Sequence, residues 1–370
     1  MKRLKYLLAL PVLLLPLTAS AQTHITSYEP GVSTEGAVYF LPRTAIDVIV
    51  TVQKVTTTPG DLCKYADRYM RLTGVPDAAE THYELLSVTT EYAGVADESK
   101  AFHIRFSTKS IAPNVQLSSE GTLLAINTDN PNCEEVSLEE THVIEGEAID
   151  ATPYMTEDML AAGSKARLAD LVAREIYDIR DSKSSLLRGE SDYMPSDGEG
   201  LKLMVNSLQR QEDALMQLFS GVTIREQITR TYRFIPVGNT SKEVVARFSR
   251  KLGLVDVDDL SGTPLFIDVR SLATQNASVT SDNGVNAAEG VQTDPKAAFH
   301  KGKSFEGVMF NIPAKASVKV YNANKVFVDE KTTLAQFGSL ETLSSKLFST
   351  KSTTKVVLDP VTGALVKIEE

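Results

Sequence analysis

Tryptophan is absent from these 370 residues, cysteine occurs twice and histidine five times. The missing indole removes the commonest flat platform for sugars, leaving Tyr28, Tyr154 and Tyr193 as smaller rings that could substitute. None of His24, His82, His103, His142 and His300 lies three to five residues from another histidine or a cysteine, the spacing that compact zinc sites use. The chain also lacks a G-x-S-x-G elbow, a Walker loop, an H-E-x-x-H helix and a paired C-x-x-C. No catalytic, cofactor-binding or metal-ligating residue is therefore assigned. Cations are in the minority: 38 Lys and Arg stand against 48 Asp and Glu, a net charge of −10. Such a surface repels phosphate backbones and anionic headgroups, which excludes nucleic acid and peripheral membrane binding as the main task. After residue 21 no apolar run approaches transmembrane length.

What is present starts with an address. Lys2, Arg3 and Lys5 precede an apolar stretch from Leu7 to Leu17, and Ala19-Ser20-Ala21 supplies the small residues a signal peptidase admits. Residues 1–21 are read as a secretory leader cut after Ala21, and Gln22 becomes the new terminus. No cysteine stands there to take a lipid. Cleavage removes three cations and no anion, so the net charge moves from −10 to −13. In an oxidising compartment Cys63 and Cys133 invite a bridge, and closing that interval would contribute roughly 4 kcal/mol. The stretch Asp61 to Leu72 equally reads as an amphipathic helix that buries Cys63 as a small apolar thiol. Both readings stand.

With 42% hydrophobic and 23% charged residues the chain has the composition of a folded protein, and its length suits two or three domains. From Gly36 to Val55 it is rich in β-branched residues, and Ile46, Val48 and Val50 alternate as a strand with one buried face. Further strands are expected at Tyr83–Tyr92, Ala101–Ser107, Val115–Leu117 and after Gly121. The period then changes. From Thr156 to about Arg188 the positions Leu160, Leu168, Leu171, Val172, Ile176 and Ile179 recur at three and four, predicting one long helix. A second follows Pro195, with Ser196 and Glu199 as a capping box and a stripe through Leu201, Met204, Leu208, Leu215, Leu218 and Phe219 that Gly221 stops. Strands return at Val222–Ile235 and Leu265–Val269, separated by a short helix expected over Lys242–Leu252. The interval 271–304, rich in Ser, Asn, Ala and Gly, has the composition of a mobile loop.

The last seventy residues echo the first part of the chain. Glu35-Gly36 leads to Tyr39, Leu41, Pro42 and Ala45, and Glu306-Gly307 leads at the same spacing to Phe310, Ile312, Pro313 and Ala316. The string FSTKS occurs at Phe106–Ser110 and at Phe348–Ser352. Behind each copy come a V-x-L strand and a G-x-L-x-x-I strand, at Gly121–Ile126 and Gly363–Ile368. Three matches in one order point to duplicated β units. The expected class is α+β: two β-rich antiparallel domains at 22–150 and 222–370, with an αα-hairpin at 151–221 between them.

Two groups of carboxylates invite chemistry. Asp256, Asp258 and Asp259 would attract a hard cation, yet the glycine and the twelfth-position carboxylate of an EF-hand are out of place, and a solvated turn is the expectation. Around the helical turn gather Asp178, Arg180, Asp181, Asp192, Asp197 and Glu199, and paired carboxylates are what glycoside hydrolysis uses. Helix ends in an acidic protein collect such residues for capping as well.

At Ile176-Tyr177-Asp178-Ile179-Arg180-Asp181-Ser182, at Met194-Pro195-Ser196-Asp197-Gly198 and from Gln211-Glu212 to Gly221, the chain resembles the exported Bacteroidetes family known as domain of unknown function 4831. Gly36 to Ala45, Gln336-Phe337-Gly338 and Thr362 to Leu365 agree with it too. The resemblance implies a Gram-negative host and a periplasmic, outer-membrane-associated or secreted location, and it brings no catalytic residue. The expected role is structural or partner-binding, toward another envelope or extracellular macromolecule and without a cofactor. A carboxylate hydrolase of glycans and a small-ligand carrier are the alternatives.

Overall fold

The computed structural model describes residues 24–27, 36–105, 114–131, 141–190, 198–272, 305–348 and 354–369. The leader, both FSTKS strings except Phe348, Ser196, Cys133 and nearly all of the 271–304 interval lie outside them. The protein is α+β, and its strands are antiparallel to their ladder neighbours.

The chain starts with β1 (His24–Ser27) and continues into two very long strands, β2 (Ala37–Thr58) and β3 (Glu80–Arg105). Between these, the expected helix after Asp61 is a 3-10 turn at Cys63–Tyr65 plus one short helix, α1 (Ala66–Met70), which Arg71 ends at φ 58°. Two short strands follow, β4 (Val115–Leu117) and β5 (Leu123–Ile126), then β6 (Thr141–Glu145). The long helix expected from Thr156 is two helices, α2 (Glu157–Leu160) and α3 (Lys165–Arg188). Ser164 breaks the run: it is extended, and its hydroxyl accepts the Arg167 N–H at 3.2 Å as an N-cap. Helix α4 (Gly198–Ser220) runs back along α3. Then come β7 (Val222–Phe234), β8 (Thr240–Ser249), β9 (Gly253–Val255), β10 (Thr263–Ser271), β11 (Phe305–Tyr321), β12 (Val326–Ser344), β13 (Lys355–Leu358) and β14 (Leu365–Glu369).

Strand β8 corrects the helix expected at Lys242–Leu252. Its register against β10 shifts between Leu265 and Phe266, so consecutive Val245 and Ala246 are both buried. That bulge breaks the alternation of two and leaves apolar positions whose spacing imitates a helix.

Among the described residues ten strands form the large sheet in the order β6-β7-β2-β3-β1-β11-β10-β8-β9, with β12 on β11, and four form a small one, β14-β13-β5-β4. Strands from 22–150 and from 222–370 share both sheets. Beyond β1 the order is β11-β10-β8-β9, with β12 branching from β11, and the helical hairpin lies in the β6–β7 connection.

Three cores result. Ile46, Val48, Val50 and Val52 of β2 meet Leu265, Ile267 and Val269 of β10 and Val318 and Val320 of β11. Beyond Pro42 and Pro313, each at a register shift where a missing N–H is tolerated, the other ends of the long strands build a second core with the small sheet: Tyr39, Phe102, Val308, Leu123, Val356 and Leu358. The third lies among α1, α3 and α4, centred on Val172, Ile176, Leu215 and Phe219. Leu208 only packs at its margin, so the seam is deepest nearer the end of α4.

Candidate functional site

Each half carries a matching junction between a long strand and the small sheet. Phe40 of β2 donates its N–H to Gly121 O at 2.9 Å, and Asn311 of β11 donates to Gly363 O at 3.0 Å. Both glycines have positive φ, 81° and 69°, and a Cβ on Gly363 would lie 2.7 Å from the Pro42 ring, so the echoed glycines are steric requirements. Buried Asn311 donates through Nδ2 to Pro42 O and Thr362 O, both at 2.8 Å. Buried Thr44 receives the Ala335 N–H and donates to Val361 O, while Gln336 brackets its backbone from both sides. These bonds hold the crossing of the long strands.

Charged side chains in and beside the cores are also committed to structure. Asp47 is fully buried and accepts two bonds from Arg233, each 2.8 Å, which raise the guanidinium's proton affinity. Glu212 of α4 takes Arg180 at 2.6 Å and also Lys183, both from α3. Burial opposes that carboxylate's charge, but the bonds from Lys183 and Arg180 outweigh it and hold its pKa below the ordinary glutamate value. Glu330 of β12 accepts from Thr90 at 2.7 Å and Tyr92 at 2.5 Å; burial first, and then that carboxylate, push the Tyr92 phenol well up. Of these residues only Arg180 is a candidate from sequence. Glu212 left a signal, since it falls on the stripe of Leu208, Leu215 and Phe219; the partners of Asp47 and Glu330 depend on strand register.

The residues singled out from sequence do not converge. Asp178, Asp181 and Glu199 are exposed, Arg180 is spent on Glu212, and Asp192 and Asp197 lie outside the described residues. Asp256, Asp258 and Asp259 occupy an exposed turn closed by Asp259 O δ1 accepting the Ser261 N–H at 2.9 Å. His82 has Nε2 3.3 Å from Glu84, His142 has Nδ1 3.4 Å from Glu226, and His103 is buried against Gly36. His300, Tyr28 and Tyr193 are outside the described residues. Among the described residues no three His, Cys, Asp or Glu side chains are grouped to hold a metal. Cys63 is half-buried, and its pairing with Cys133 falls outside them. No described helix is long and apolar enough to cross a membrane.

What the arrangement offers is edges. Among the described residues strand β6 ends the large sheet, and Val143 and Ile144, on opposite faces, are 54% and 66% exposed. Strand β14 ends the small sheet with Val366 62% exposed. An edge strand presents a row of N–H and C=O groups on which another extended segment can pair. Edge β6, with exposed His142 and Glu145 beside its two apolar residues, is the candidate contact site.

A family model described as domain of unknown function (DUF4831) matches residues 35–366. No curated protein and no solved structure matches the chain.

Proposed function

The chain belongs to the DUF4831 family, and from that premise we propose that it is an exported protein with a structural or partner-binding role and no catalytic activity. The leader of residues 1–21 supports export, to the periplasm, the outer membrane or the exterior of a Bacteroidetes cell. The observation that carries the role is strand β6: an apolar, nearly unburied edge strand contributes little to the core and is suited to pairing with an extended segment of another macromolecule. The commitment of Asp47, Glu212 and Glu330 to ion pairs and hydrogen bonds supports the same reading, since groups so engaged are poor acids or bases. The twin glycine junctions support duplication of one β unit. The test is fractionation with intact-mass measurement, followed by crosslinking in native envelopes. A mature chain starting at Gln22 outside the cytoplasm, crosslinked through β6 and released by Ile144→Lys, is expected. Cytoplasmic material retaining Met1, or hydrolysis of glycans that vanishes with one carboxylate, would overturn the proposal.

A further inference from the structure

The outward face of β10, β11 and β12 carries positive charge in a chain that is acidic as a whole. Along β11, Ala316, Val318 and Val320 are fully buried, so Lys315, Ser317 and Lys319 alternate with them on the opposite face. The register sets Arg270 of β10 on one side of Ser317 and Lys331 of β12 on the other. Ser317 thus has a cation beside it in each direction, about 4.8 Å away across the strands and roughly 7 Å away along its own. The carboxylates among them are weak counterweights. Asp268 takes the Lys242 N–H at 2.8 Å and the Tyr321 hydroxyl at 3.1 Å, and stands 3.6 Å from Arg270; Asp329 stands 3.8 Å from Lys319. Among the described residues no carboxylate pairs with Lys315 or Lys331, and both are exposed. Like charges so placed repel one another and cost stability. The outward side of β2 and β7 is built instead of uncharged pairs, Thr51 with Thr229 and Gln53 with Gln227.

We propose that this face binds an acidic glycan, whose carboxylate or sulfate groups pair with Arg270, Lys315, Lys319 and Lys331. The row beyond Lys319 supplies a second element of the site. Phe266 and Tyr321 stand side by side there on the same face, their ring centroids 5.6 Å apart, and both are half-buried. Lys319 reaches over the Tyr321 ring at 5.8 Å, so charge and ring are contiguous. Rings set in a flat sheet give a sugar an apolar surface to lie on, beside cations that hold its anionic groups. An extended acidic peptide has no ring face to lay against them. Nucleic acid is disfavoured for another reason: a long, densely charged polyanion is repelled wherever it leaves the patch and meets the acidic remainder of the surface. A glycan with spaced charges meets the protein only here. The face lies on β10, β11 and β12, whereas β6 belongs to the other half of the large sheet, so the proposal does not depend on edge pairing.

The experiment uses the purified chain from Gln22 to Glu370, so it stands apart from whether export occurs. Its binding is measured to immobilised polygalacturonate, dextran sulfate and neutral dextran, with poly-glutamate and anionic phospholipid vesicles as further arms. Binding to one or both acidic glycans and none to neutral dextran is expected, and the arm that binds tells carboxylate from sulfate. Pairing with four cations makes the affinity fall at least about tenfold between about 50 and 200 mM salt. Lys315→Glu with Lys331→Glu should weaken binding at least about tenfold and flatten that salt dependence. Lys64→Glu with Lys202→Glu changes the net charge equally at exposed positions elsewhere and should leave binding within about twofold. No binding to either acidic glycan at low salt, equal retention by neutral dextran, equal losses in the two double variants, or tighter binding of poly-glutamate or vesicles would overturn the proposal. Circular dichroism checks that the variants fold; should the first double variant fail, Arg270→Gln with Lys331→Gln takes its place.

Discussion

The Asp47–Arg233 pair allows a test in which the two partners should fail unequally. Asp47 lies between Ile46 and Val48, with its side chain 1% exposed, while that of Arg233 is 28% exposed. Removing the anion leaves a cation that can still reach water. Removing the cation leaves an anion sealed in the sheet. Asp47→Asn loses the charge assistance of two 2.8 Å hydrogen bonds, a cost of about 2 kcal/mol. Arg233→Met strands the carboxylate and costs about 4 kcal/mol. The double variant should cost no more than Arg233→Met alone, because the charge that was stranded is gone. In a chain of this size those losses lower the melting temperature by roughly 2 °C per kcal/mol. Thermal denaturation of the four chains is the assay. Equal costs for the two single variants, or a double variant that costs more than Arg233→Met alone, would refute this account of the pair.

Leu215→Ala, at a fully buried position in the helical seam, should cost about 3 kcal/mol, whereas Leu203→Ala, on a residue 72% exposed, should stay within about 0.5 kcal/mol; similar losses in melting experiments would place the seam elsewhere. The depressed pKa of Glu212 means that its contribution is complete above the unfolded glutamate value of about 4.3 and is lost as pH falls through the lower folded value. Glu212→Gln should flatten that limb of the acid-denaturation curve, and parallel limbs in the two chains would contradict the assignment.

Much of the architecture could be read from residue order where one rule dominated locally. Ile46, Val48 and Val50 alternate because one face of β2 is buried, and Ile176, Ile179 and Leu215 recur because the hairpin buries one stripe. The echoed prolines and glycines mark the two register shifts and the two junctions, features that tolerate a missing N–H or demand a positive φ wherever they occur. Legibility failed where distant pairing decided the outcome. The bulge in β8 gave Val245 and Ala246 a helical look, and only its partner β10 resolves it. The break at Ser164 rests on one capping hydroxyl, and the apolar periodicity on either side of it carries across. Of the candidate contact site, the stretch Thr141–Glu145 carried no sign of being an edge, because an edge is defined by what does not pair beside it.

The small sheet carries a consequence for the order of synthesis. Ile126 and Ala125 of β5 pair with Val356 and Val357 of β13, which in turn pairs with β14 at the far end of the sequence. Leu123 and Ile126 thus wait for their lid until almost the last residues have emerged, and a nascent chain stalled anywhere before β13 keeps that apolar face open. Contacts of such long range close slowly and leave surface for chaperones to hold.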